Sequence, residues 1–189
     1  MNNTRAMETN SKIISNYPLI ARDFVLKIDY NVICYTGPAQ EIFGKITIYI
    51  DNVEKKVFNK VFKKGTLNYT VEVGSLAEGT HTIKVRCICS HNRDEILTFT
   101  VDRSQPKVDL SAETIGQLQA GVYPFVIPHI AVTGVYKYNM TVKLVKDGVV
   151  IPYTFGAPIE EEGNYQLSVR VTALNGLSDE RTVSFKIEK

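Results

Sequence analysis

The chain has no tryptophan, three cysteines and three histidines among its 189 residues. Three cysteines cannot all pair within one chain. Cys87 and Cys89 stand two apart, so a strand puts both on one face. The cysteines read as small apolar residues, with a bond from Cys34 to Cys87 or Cys89 as the alternative. C-x-C plus one distant cysteine lacks a fourth ligand at zinc spacing. No apolar run approaches the roughly 20 residues of a membrane helix, which excludes a helical membrane span. Met1–Lys12 is polar and lacks the apolar core of a secretory signal. The formal net charge is only +2, and residues 103–189 are balanced. Neither half carries the basic field of a nucleic-acid binder. H-E-x-x-H, G-x-S-x-G, the P-loop and G-x-G-x-x-G are all missing. The chain therefore reads as non-enzymatic, with no cofactor and no catalytic residue.

What is present is a repeat. Glu78-Gly79-Thr80-His81-Thr82-Ile83-Lys84-Val85-Arg86 leads on to Phe99, and Glu162-Gly163-Asn164-Tyr165-Gln166-Leu167-Ser168-Val169-Arg170 leads on to Phe185. Each copy alternates with period two and reads as two strands joined by a polar turn. The spacing predicts two modules of roughly 85–90 residues, at the small end of domain size.

Residues 1–17 show no alternation and read as a flexible arm. The first module spans 18–102. From Phe24 to Cys34 every second residue is apolar, with Lys27, Asp29 and Asn31 between. Further strands are predicted over Ile42–Ile50, Lys55–Phe62 and Leu67–Val73, with turns at Asp51-Asn52 and Lys64-Gly65-Thr66. Arg103-Ser104-Gln105-Pro106 reads as the linker, and Pro106 disfavours helix before it. The second module spans 103–189. Ser111–Gln119 allows one helical turn. Ile130–Val132 and Met140–Val145 read as strands. Asp147-Gly148 is a two-residue hairpin signal, returning over Val149–Phe155 to a break at Gly156-Ala157-Pro158. Many short strands in two similar units predict an all-β protein of two tandem β-sandwiches.

The stretch Glu162-Gly163-Asn164-Tyr165-Gln166-Leu167-Ser168-Val169, the Phe185-Lys186-Ile187-Glu188 ending and the Asp102–Pro106 junction resemble bacterial and phage immunoglobulin-like (Ig-like) domains. The resemblance implies a tyrosine corner at Tyr165, whose hydroxyl ties down the turn before it. His81 holds that place in the first module, so the bond there is lost or replaced. Ile83 and Leu167 stand where the family's second cysteine would be.

One surface feature is uneven. Lys55, Lys56, Lys60, Lys63 and Lys64 crowd ten residues, a candidate surface for an acidic glycan, headgroup or protein. The plain structural reading is an edge strand guarded by lysine. Glu160-Glu161-Glu162 with Asp109 or Asp179 is a weak calcium candidate beside its reading as a solvated loop. His81, His91 and His129 read as structural.

Tandem Ig-like modules imply a structural and interaction protein. A polar start at Met1 without an export signal suits a phage virion accessory protein: a capsid decoration, head fibre or tail-associated subunit. Residues 1–17 would anchor it to capsid or other virion subunits, with a homo-oligomer compatible. The alternative is an adhesion or carbohydrate-binding module at a bacterial surface or outside the cell, meeting a host-surface glycan through Tyr136, Tyr138 or the lysine strand.

Overall fold

The computed structural model describes residues 5–34, 41–89, 92–113 and 115–189. The chain divides between Arg103 and Ser104 into two compact units.

The first unit holds β1 (Arg5–Ile14), β2 (Phe24–Cys34), β3 (Ile42–Ile50), β4 (Val53–Phe62), β5 (Lys64–Val71), β6 (Gly79–Ile88) and β7 (Arg93–Val101). A three-stranded sheet runs β1-β2-β5 and a four-stranded sheet β4-β3-β6-β7, with every pair antiparallel. Alternation drives the core. Leu26 and Ile28 of β2 join Ile46 and Ile48 of β3 and Ile83 and Val85 of β6 in one buried cluster. Each such side chain contributes about 1.5–3 kcal/mol.

The arm expected over residues 1–17 is a strand over Arg5–Ile14, paired with β2 along its length. Its alternation is real but hidden, because two of the inward positions are polar. Thr9 and Ser11 are buried beside Met7. The Glu95 carboxylate of β7 accepts from the Thr9 hydroxyl and, at 2.8 Å, from the Ser11 N–H. A carboxylate supplies the acceptors that an apolar pattern would have made unnecessary.

The second unit holds β8 (Lys107–Ala112), β9 (Gly116–Gln117), β10 (Val122–Tyr123), β11 (Pro128–Thr133), β12 (Tyr138–Lys146), β13 (Val149–Ile151), β14 (Gly163–Ala173) and β15 (Ser178–Ile187). A three-stranded sheet runs β11-β8-β9 and a five-stranded sheet β10-β15-β14-β12-β13. Val108 and Leu110 meet Leu167, Val169 and Ile187 in its core. Asp147 and Gly148 take φ of 47° and 84°, the left-handed pair that a two-residue hairpin needs.

Two expectations fail here. No helical turn forms among the described residues of Ser111–Gln119: the Ile115 N–H bonds to Ala112 O, and β9 returns beside β8 with the Leu118 N–H on Leu110 O. The returning strand stops at Ile151 instead of running to Phe155. Pro152 has no N–H to extend the ladder, and the chain then turns, with the Ala157 N–H on Thr154 O. It rejoins the other sheet only at Ile159, which exchanges two hydrogen bonds with Val126.

Candidate interaction surfaces

Strand β4 pairs only with β3, so the lysine strand is a sheet edge. Its register places Lys56 opposite Ile48 and Lys60 opposite Gly44, on the core side of the strand. Their stems lie along the rim of the core. The Lys60 ammonium stands 5.6 Å from the Tyr30 ring and 5.4 Å from the Phe62 ring, and Lys56 5.8 Å from Phe58. Between Ile48–Lys56 and Tyr49–Glu54 the register shifts, and Lys55 is the extra residue. Lys63 lies in the turn after β4, and Lys64 belongs to β5 of the opposite sheet, across from Asn31. Lys64 is thus carried by a different sheet from Lys55, Lys56 and Lys60. Inward-pointing lysines and a bulge are the devices that protect an edge from pairing.

The corner residues repeat more closely. The Tyr165 hydroxyl donates to Glu161 O at 2.9 Å, four residues back, and its ring stacks on Phe185 at 5.6 Å. In the first unit His81 Nε2 meets Ala77 O at 2.9 Å, also four residues back, and its ring lies 5.5 Å from Phe99. The corner bond expected to be lost or replaced at His81 is replaced. The other nitrogen, Nδ1, lies 2.6 Å from Asp51 Oδ2. Both partners are acceptors, so the protonated ring, with an N–H at each nitrogen, satisfies both at once. The Asp51 hydrogen bond raises the His81 pKa above its ordinary 6.5, more than burial lowers it. Burial pushes Asp51 up, but hydrogen bonds from His81 and the Thr82 N–H outweigh it and hold the carboxyl below 3.8.

A cleft of 690 Å³ opens at the β1-β2-β5 sheet, lined by Glu8, Asp29, Tyr30, Lys64, Arg93 and Glu95 among others. Asp29 accepts from the Thr66 hydroxyl at 2.5 Å and sits 3.1 Å from Lys27 Nζ. Thr66 and Lys27 hold its carboxyl below the usual range. Lys64 is the one residue of the lysine run that lines this cleft. No sequence motif marked it, because its walls come from four strands, β1, β2, β5 and β7, spread over the first unit.

In the second unit Tyr136 is fully exposed and Tyr138 is 41% exposed. Tyr138 lies opposite Ala173, and Met140 opposite Val171, on one face of the five-stranded sheet. That face is buried at Val171 and Ala173 but open at Met140, which is 42% exposed.

The acidic run does not assemble with Asp109 or Asp179. Glu161 binds Lys146 Nζ at 2.7 Å, and Asp179 accepts the Val108 N–H at 2.8 Å. Among the described residues no three His, Cys, Asp or Glu side chains are grouped to hold a metal, and no helix is long and apolar enough to cross a membrane. Cys87 is a buried thiol whose pKa burial pushes up to about 12. The Cys34 side chain and His91 lie outside the described residues. His129 is exposed on β11.

Neither a protein-family model nor a curated protein matches the sequence. Among solved structures, the crystal structure of red sea bream transglutaminase is similar at 9% identity and a TM-score of 0.40, covering 95% of this chain. The chain spans 31% of that structure's length.

Proposed function

We propose that this chain is a non-enzymatic structural and interaction protein of tandem Ig-like modules, carried as an accessory component of a phage virion. The observation that carries the reading is the recurrent corner: two β-rich units, each closed by a Glu-Gly turn and a ring bonded four residues back. This is the feature by which the sequence resembles bacterial and phage Ig-like domains. Modules of that kind present loops and edges on a rigid frame. Because Arg5–Ile14 is built into the first sheet, attachment to capsid or other virion subunits falls to loops and sheet edges instead of an arm. Gold-labelled antibody to the purified chain, applied to the producing culture, tests the setting. Gold on particles, at head or tail, supports the reading; gold on the cell envelope with bare particles rejects it.

A second reading rests on the cleft of the first unit. Its mixed charges, its hydroxyl and the Tyr30 ring suit a hydroxyl-rich ligand such as a surface glycan. Retention on cell-wall or glycan resin that is lost in D29N would favour this surface-binding module over the virion component.

A further inference from the structure

In the first unit, β2 is paired on both sides, by β1 and by β5. Under β5, the inner face of β3 is sealed, with Ile46 and Ile48 at 0% exposure. The second unit has no counterpart to β5. Strand β11 is paired by β8 on one side, and Ile159 reaches only Val126, two residues before β11 begins. Beneath the vacant place, the inner face of β12 is open at Met140 and Tyr138.

The free edge has a defined hydrogen-bond pattern. The Glu113 N–H bonds to Ile127 O, and Ser111 and Asp109 lie opposite His129 and Ala131. Antiparallel pairs alternate, so His129, Ala131 and Thr133 turn their amides toward β8. Ile130 and Val132 turn theirs to the free edge. Only an extended backbone satisfies that alternation. The edge also lacks every protection that β4 carries. No Asp, Glu, Lys or Arg occurs from Pro128 to Tyr136, and the register of β11 has no bulge.

We infer that β11 pairs with β11 of a second copy of this chain. Antiparallel pairing about a two-fold axis at Ala131 puts Ile130 opposite the partner copy's Val132 and Val132 opposite its Ile130. Those are the residues whose amides face outward, so both positions exchange full hydrogen-bond pairs. An uncharged edge meets an uncharged edge, without the like-charge penalty of a lysine strand. The incoming strand takes the place that β5 holds in the first unit. Its alternate apolar residues then cover Met140 and Tyr138. The pairing requires no particular biological setting.

Ala131 is exposed and sits on the proposed axis, so its substitution leaves the core untouched. Two such positions face each other with Cα atoms about 4.5 Å apart. Sedimentation equilibrium of the full chain at up to about 1 mM reaches the weak end of protein association. The wild type is expected to dimerise. A131E and A131K are each expected to weaken the dimer by up to about fivefold, and an equimolar mixture of the two is expected to restore it. A wild type that stays monomeric throughout overturns the inference and leaves the edge to an extended segment of another protein. A dimer indifferent to both substitutions overturns it as well.

Discussion

The two units share a plan and differ in what completes it. Each ends in a long antiparallel pair, β6-β7 or β14-β15, held by an aromatic or imidazole ring on a carbonyl four residues back. The first unit spends eight residues, Lys64–Val71, on a strand that pairs with β2. The second spends the corresponding stretch on a turn around Gly156, at φ 88°. Similar corners therefore occur in one unit whose β2 is paired on both sides and in another whose β11 is paired by β8 alone among the named strands. The corner secures the last two strands, and the strand beside β2 decides how much apolar surface stays in contact with water.

The largest contrast is expected at matched positions. Ile46 and Met140 both lie on the inner face of the third long strand of their unit, opposite Cys87 and Val171. I46A is expected to cost about 2–5 kcal/mol in chemical unfolding, because the site is sealed and leaves a cavity. M140A is expected to change stability by no more than about 0.5 kcal/mol, as at a surface position. Equal losses would break the comparison.

A smaller effect is expected at Glu95. E95A strips acceptors from the Thr9 hydroxyl and the Ser11 N–H, costing about 1–3 kcal/mol. Amide exchange in β1 should rise more than in β2. At the second corner, Y165F removes one hydrogen bond of about 1 kcal/mol, with thermal unfolding of the second unit as the readout.

The smallest effect is expected along pH, since the Asp51 side chain is 44% exposed and solvent screens the pair. His81 titrates higher folded than free. Its contribution is complete below about 6.5 and is lost as pH rises through the raised value. Asp51 titrates lower folded than free, so its contribution is present above about 3.8 and is lost as pH falls through the lowered value. The first unit should therefore be most stable between those limits. H81Y, which copies the corner of the second unit, should flatten the loss that accompanies His81 deprotonation as pH rises above about 6.5.

The strands and turns that rest on apolar alternation or on a two-residue turn were legible in the sequence. The Asp147-Gly148 hairpin and the alternation of β2 both stand where the local pattern puts them. The Tyr165 corner was implied by the resemblance to Ig-like domains, not by the local pattern, and its hydroxyl donates to Glu161 O. What escaped depended on distant partners. The pattern of β1 is hidden by Thr9 and Ser11, and the Thr9 hydroxyl and Ser11 N–H are met by Glu95, over eighty residues away in the chain. The lysine run reads as one strand and its turns, but Lys64 belongs to β5, which pairs with β2 in the other sheet. The open edge of β11 could not be seen at all, because the feature is a partner that the chain does not supply.

Amide hydrogen exchange in dilute solution tests most directly whether the second sandwich is open where the first is closed. The account predicts rapid exchange at Ile130 and Val132, slow exchange at Ala131 and Thr133, and slow exchange at consecutive positions of β2 from Leu26 to Tyr30. Ile130 and Val132 amides as protected as those of β2 would contradict it.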